Sequence, residues 1–260
     1  MPKSFVENSP ITGYAHSRND QGQRHDLVAH LQGVATLASQ FAAPFGASEL
    51  GYYLGLWHDL GKFDPDFQTY LLQAEAGNRR YGPDHKAAGV QMALQHGPGP
   101  LALLLQGHHG GLKNKQDLKR WLAKHAAASA RALDLAQQVI PNLSPDSPLS
   151  IPAYAKPQGD VPRLEFFLRF LFSALVDADF LDTEQHFNAD QSAYRGSDLA
   201  LAELWTRFQA NQRQFDDAPN TPVNRSRRKI YQACLKAAAL PPGLFRLTVP
   251  TGGGKTRSGM

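Results

Sequence analysis

The sequence predicts an all-α body, and three observations carry that prediction. Apolar residues recur at three- and four-residue spacing through most of the first 215 positions. No convincing alternation of apolar and polar residues occurs before residue 244. Gly82-Pro83, Pro98, Pro100 and Gly110-Gly111 mark breaks between the periodic segments.

Residues 26–43 place Leu27, Leu31, Val34, Leu37, Ala38 and Phe41 on one stripe, with Asp26 as N-cap. A second helix covers 48–59, opened by Ser48-Glu49 and closing near Gly61. A third runs from about Asp66 to Ala76. Gly82-Pro83-Asp84 is a turn and cap ahead of a helix over 85–96. After the breaks at Pro98 and Pro100, a helix over about 101–109 ends at Gly110-Gly111. A polar, alanine-rich helix follows over about 115–139, then a Pro/Ser/Asn loop at 141–162. A long apolar helix covers 163–182, and an amphipathic one covers about 197–215. No internal repeat is present.

The chain of 260 residues is 42% hydrophobic and 19% charged, enough for a sizeable core and against wholesale disorder. The single cysteine, Cys234, excludes an intramolecular disulfide framework and a cysteine-cluster zinc site. The opening residues lack the order of a signal peptide, and there is no run of about 18 apolar residues. A soluble, cytoplasmic protein with no membrane partner is expected. The net charge is +4, but eight of the 27 basic residues and none of the 23 acidic ones lie in 219–260. The body therefore carries 19 basic against 23 acidic residues, a net of −4, and its partners must be read from its chemistry.

Composition shifts at 216–226, a linker signal, so the domains are expected at 1–217 and 218–260. A basic helix over 226–239 leads to Pro241-Pro242-Gly243. The apolar run Leu244–Val249 then reads as a strand, entering Pro250-Thr-Gly-Gly-Gly-Lys255-Thr256. A further domain is expected to begin here, cut off four residues later.

Ten histidines stand at 16, 25, 30, 58, 85, 96, 108, 109, 125 and 186. His58-Asp59 closes one apolar helix, and His108-His109 closes another immediately before two glycines. Both pairs put metal-competent groups where the flanking pattern is buried, at a helix end whose partial negative charge favours a cation. Neighbouring helical residues point about 100° apart, so a His-Asp pair can serve two ions or bridge them with the carboxylate. Paired ions about 3.5–4 Å apart, which clamp attacking and leaving oxygens and acidify water, are the basis of two-metal phosphodiester chemistry. The plainer readings are a salt-bridged helix end for His58-Asp59 and a helix-dipole partner for His108-His109. Asp84 reads equally as a simple cap, His25 as a surface or packing residue, and His96, His125 and His186 as structural.

These residues carry a resemblance. His58-Asp59-Leu-Gly-Lys62, then His85, His108-His109 and Ala178-Asp179, resembles the HD superfamily of metal-dependent phosphohydrolases. The doubled histidine before glycines resembles the nuclease domain of the CRISPR-associated HD nuclease–helicase of type I systems. Tyr14-Ala-His-Ser17 with His30-Leu-Gln-Gly-Val-Ala resembles that family's opening. Ser173-Ala-Leu-Val-Asp-Ala-Asp-Phe-Leu-Asp-Thr-Glu184 resembles its last HD motif, particularly in the type I-C branch. Pro250–Thr256 resembles the first ATP-binding motif of its helicase part, so the tail would begin a RecA-like domain.

The resemblance implies an HD helical bundle around two divalent transition metals. One would be held by His30, His58, Asp59 and Asp179, and the other by His85, His108 and His109, with Asp59 bridging. Lys62 would neutralise the scissile phosphate, and Thr183 falls where the family has a small hydroxyl. The implied activity is metal-dependent cleavage of single-stranded DNA in antiviral defence. The implied partner is the RNA-guided CRISPR surveillance complex that displaces the strand. Lys255 and Thr256 would cradle ATP and magnesium only in a full-length helicase, so no ATPase activity is expected of this chain. Periodicity does not choose between Asp177 and Asp179: Asp179 lines up with Leu164, Leu168, Leu171 and Leu175, and Asp177 with Phe166, Phe170 and Ser173. The family motif favours Asp179.

Two other functions compete: an HD phosphohydrolase acting on a small nucleotide, and a metal-stabilised docking module. The helicase-like start argues for a polymer substrate, and the complete ligand set argues against a mere docking module. Histidine-rich ligation favours manganese, iron, cobalt or nickel over magnesium. Trp57, Trp121, Tyr52, Tyr53 and Tyr81 are candidates to stack bases, though most of them are expected in the core. Lys113 and Lys115 are candidates to contact the strand, with an ordinary solvated loop as the alternative.

Overall fold

The computed structural model describes residues 13–78, 81–111, 115–156, 161–195 and 200–259. The expected all-α class holds: eleven α-helices lie among the described residues, with one two-stranded ribbon. The chain separates into two compact units, Met1–Gly196 and Ser197–Met260.

The first unit opens on the ribbon, β1 (Tyr14–His16) paired antiparallel with β2 (His25–Asp26). No strand was expected here, because segments of two or three residues are too short to show an alternation. Helix α1 (Leu27–Ala42) begins where Asp26 accepts the Ala29 amide at 2.8 Å, as the N-cap reading requires. Its stripe of Leu27, Leu31, Val34, Ala35 and Ala38 is fully buried. Phe41, expected on that stripe, is 37% exposed near the helix end.

Helix α2 (Ser48–Trp57) packs on α1. It stops two residues before the expected end, and a 3-10 turn, Leu60–Phe63, follows. Trp57 is fully buried, and its indole N–H donates to the Leu143 carbonyl at 2.9 Å. Trp57 is therefore a core residue and not a base-stacking platform. Helix α3 (Pro65–Glu75) is capped by Asp64, which accepts the Asp66 amide at 2.9 Å.

Helices α4 (Ala87–His96), α5 (Pro100–Gly107) and α6 (Lys115–Val139) follow the expected order. Helix α4 begins two residues later than expected, with Lys86 at its N-cap position, and Asp84 Oδ1 accepts the Lys86 and Ala87 amides at 3.0 and 3.1 Å. Its Oδ2 takes the Trp121 indole N–H at 3.2 Å. The α5 end is closed by the Gly110 and Gly111 amides, both donating to the Gly107 carbonyl.

Helix α7 (Val161–Phe187) packs against α1 and α2 through Leu171, Leu175 and Ala178. It runs past the expected end at 182, so Thr183, Glu184 and His186 are helical as well. The face shared by Phe166, Phe170 and Asp177 is exposed, and the face shared by Leu171, Leu175 and Asp179 turns toward the core. The short helix α8 (Ala189–Arg195) ends the unit, with Arg195 paired to Glu184 of α7.

In the second unit, α9 (Leu201–Arg213) and α10 (Pro222–Ala238) meet through Phe208 and Tyr231, whose ring centroids are 6.3 Å apart. Thr221 caps α10. The run 244–249, expected as a strand, has no regular secondary structure, because no partner strand is present among the described residues of this unit. Lys255 and Thr256 open the five-residue helix α11 (Lys255–Gly259), and both are exposed. No helix among the described residues is long and apolar enough to cross a membrane.

Candidate metal centre

The site is built at helix ends. His58 stands at the C-cap of α2, and Asp59 immediately precedes the 3-10 turn, with its carboxylate free of any capping bond. His108 stands at the C-cap of α5, with His109 next. His30 lies in the first turn of α1, and Asp179 lies on α7. His85 arrives from the segment ahead of α4, tied to the 3-10 turn by the Gly61 amide, which donates to the His85 carbonyl at 3.0 Å. A Cβ on Gly61 would lie 2.4 Å from that carbonyl oxygen, so only glycine permits this approach.

Asp59 is the centre of the arrangement and is 1% exposed. Its Oδ2 faces His58 Nε2 at 3.4 Å and His30 Nε2 at 3.7 Å. Those two ring nitrogens are 3.2 Å apart, and each lies within 3.6 Å of Asp179 Oδ1. The other oxygen, Oδ1, faces His108 Nε2 at 3.4 Å, His85 Nε2 at 3.5 Å and His109 Nε2 at 3.8 Å. One carboxylate thus joins two separate sets of donors. All seven residues expected as metal ligands come together here, each set close enough to hold one ion. Asp177 does not: it is exposed, and its Oδ2 lies 3.5 Å from the Ser173 hydroxyl.

Lys62 lies against the Asp59 carboxylate. It is 4% exposed, its Nζ lies 2.6 Å from Asp59 Oδ2, and it donates to the Ala15 carbonyl at 2.9 Å. Its charge is spent on Asp59 rather than at an open edge. The open edge is at His109, whose side chain is 44% exposed. Tyr81 is fully exposed, and Trp121 is half-buried against Asp84. Lys113 and the Lys115 side chain lie outside the described residues.

The electrostatics follow from burial opposed by charge. Burial alone would raise the Asp59 carboxyl. The Lys62 ammonium and the His58 ring beside it overcome this and hold it well below the usual carboxylate range. Asp179 is likewise held down by His58 against its own burial. Burial would lower His58, yet the Asp59 and Asp179 carboxylates push it up to about 10. A positive charge between those carboxylates is therefore strongly favoured. Burial takes His85 down to about 4 and also lowers His108, so both rings are neutral at pH 7. Neutral imidazole is the form that binds a metal.

The residues present fit divalent metal ions. Asp59 Oδ1, His85 Nε2 and His108 Nε2 are buried, converge on one another and have no hydrogen-bond partner. Each such atom costs about 1–3 kcal/mol if left unsatisfied.

A third histidine group was missed by the sequence reading. His16, His25 and His30 cluster together, sharing His30 with the His58–Asp179 set. His25 stacks on His186 with centroids 4.6 Å apart, and His16 Nε2 lies 3.1 Å from the Thr183 hydroxyl. Burial, with Lys62 and His30 adding to it, pushes His16 down to about 2. The available signal was His16 inside Tyr14-Ala-His-Ser17.

Comparison with curated proteins finds no match. The family model described as "Cas3, HD domain" matches residues 14–158, more than half of the chain. That span holds His30, His58, Asp59, Lys62, His85, His108 and His109, and Asp179 reaches the same centre from α7 beyond it. With the HD residues gathered on one buried carboxylate and the family match covering most of them, the chain belongs to the Cas3 HD-domain family, the metal-dependent nuclease domain of CRISPR defence.

Proposed function

We propose that this domain hydrolyses phosphodiester bonds of single-stranded DNA at two divalent transition ions. One is held by His30, His58, Asp59 and Asp179, and the other by Asp59, His85, His108 and His109. The observation that carries the reading is the division of the Asp59 carboxylate, whose Oδ2 and Oδ1 face two distinct sets of ring nitrogens at 3.4–3.8 Å. When bound, such an ion pair activates water and stabilises charge developing on the phosphate.

The protein's own residues prepare that chemistry. His58 and His108 donate Nδ1–H to the Gly55 and Leu105 carbonyls, each at 2.6 Å, which leaves both Nε2 atoms directed at Asp59. Lys62 balances the Asp59 charge from within the core, so the carboxylate stays ionised although buried. His109, with its side chain 44% exposed, is the most open of the seven residues, and a backbone phosphate would reach the centre beside it. A strand displaced by an RNA-guided surveillance complex is the substrate this family membership suggests. Lys255 and Thr256 belong, in this reading, to ATP and magnesium binding by a helicase part.

The test is metal analysis of the purified chain, followed by incubation with single-stranded DNA, duplex DNA and a nucleotide panel. Two metals per chain and cleavage of the single strand are expected. Turnover of nucleotides without DNA cleavage would replace this reading with the small-nucleotide phosphohydrolase.

A further inference from the structure

We infer that Asp182 is the positioning residue for His30, fixing its ring so that Nε2 faces the His58–Asp179 set. The inference rests on the two-ion reading above.

A histidine that ligates through Nε2 must carry its proton on Nδ1, and something must accept that proton. His58 and His108 solve this locally. Each sits at a helix C-terminus, where the carbonyl three residues back accepts the bond. His30 has no such recourse. It is the fourth residue of the sixteen-residue α1, where the surrounding carbonyls belong to the helical ladder. Its acceptor comes from another helix: Asp182 Oδ2 on α7 lies 2.7 Å from His30 Nδ1. The same oxygen is 3.5 Å from His25 Nε2, so the carboxylate is itself held in place.

Two further features are built for this contact. Asp179 and Asp182 are three residues apart on α7 and share one face. Asp179 Oδ1 lies 3.6 Å from His30 Nε2, so the imidazole is bracketed at both nitrogens by carboxylates one turn apart. On α1, Gly33 follows His30 at the same spacing. A Cβ there would lie 2.3 Å from Asp182 Oδ1, far inside van der Waals contact. A glycine inside a helix is less favourable than alanine. Here it opens the space through which the carboxylate reaches the ring.

The experiment is a cobalt(II) titration of the chelator-stripped chain, followed by calorimetry and by the visible absorption of the bound ion. Two ions are expected for the wild type. Asp182→Ala should weaken one of them by about 10–100-fold, the range for outer-shell partners, and leave the other at wild-type affinity. Asp182→Asn should lose less, since its amide oxygen still accepts from Nδ1–H. Gly33→Ala should weaken the same ion as Asp182→Ala, because the added methyl displaces the carboxylate. Equal weakening of both ions with a lowered melting temperature would assign Asp182 a packing role and overturn the inference. Wild-type uptake of two ions with an unaltered Asp182→Ala titration would overturn it alone. A wild type that takes up no cobalt overturns the two-ion reading and this inference together.

Discussion

His58 and His108 occupy equivalent positions at the ends of two different helices. Each donates Nδ1–H to the carbonyl three residues back at 2.6 Å, and each turns Nε2 toward a different oxygen of Asp59. A helix C-terminus supplies both parts of this device: an otherwise unused carbonyl to fix the ring, and a partial negative charge that favours a cation beside it. The repetition explains why one buried carboxylate can serve two donor sets without a dedicated loop for either.

Asp59 should therefore be the residue on which both ions depend. Asp59→Ala is expected to remove or weaken both, and His85→Ala only one, as read by metal content after equilibrium dialysis. His58→Ala and Asp59→Ala should each lower DNA cleavage by more than about 100-fold, beyond the range typical of outer-shell partners. Circular dichroism should show the helical content largely retained. Full activity of Asp59→Ala in metal-defined buffer would sink the two-ion reading.

Lys62 gives a test of the charge balance. Removing one partner of a buried ion pair costs about 3–5 kcal/mol, because the other charge is left uncompensated. Lys62→Met keeps the aliphatic bulk but strips the ammonium from Asp59 and leaves the Ala15 carbonyl without that donor. The metal-free variant should melt well below wild type, and added manganese or cobalt should recover part of the difference by supplying positive charge to Asp59. An unchanged melting temperature in the stripped protein would show that the pair contributes nothing.

Much of this was legible in the sequence, for physical reasons that also explain the omissions. The α1 stripe and the α5 end were readable because a 3.6-residue period and a double glycine are local signals. The order of His30, His58, Asp59, His85, His108, His109 and Asp179 was readable as a family pattern, though not its geometry. Asp177 and Asp179 could not be separated by periodicity, because both faces of α7 carry large apolar residues; the structure exposes Phe166 and Phe170 and buries Leu171 and Leu175. Asp182 escaped notice because its meaning lies in a contact 152 residues away. The run 244–249 misled because strand formation depends on a partner, and an apolar run does not specify one.

Acid should loosen the junction between the ribbon and α3. Arg24 holds Glu75 through paired contacts of 2.7–3.0 Å and lowers its carboxyl below the ordinary value. A carboxyl depressed in the folded state adds stability above its unfolded value, about 4.3, and loses it as pH falls through the folded value. The melting temperature of wild type should exceed that of Glu75→Gln by a constant margin at pH 5–7. The margin should shrink below about pH 4, where both forms become neutral. A margin that persists unchanged to pH 2.5 would mean that the guanidinium pair is not its source.

Single-stranded DNA should be cut in preference to duplex, and magnesium alone should support cutting poorly. The Asp59 centre is almost wholly buried, and its most open ligand, His109, is 44% exposed at one side. A phosphate must therefore be brought into a recess between helix ends. A duplex is stiff and carries its phosphates on a convex surface, whereas a single strand can bend to present one phosphate at a time. Residues 1–218 carry a net charge of −4, which gives no broad basic surface on which to seat a duplex by counterion release. The metal preference follows from the donors: five imidazoles and two carboxylates suit transition ions, whereas magnesium prefers oxygen ligands and retains its waters. Chelator-stripped protein should be supplied in turn with magnesium, manganese, cobalt or nickel over single- and double-stranded oligonucleotides of matched sequence. Faster loss of the single strand in a transition metal is the expected result. Equal rates on both substrates would remove the recess argument, and best activity in magnesium would remove the imidazole argument.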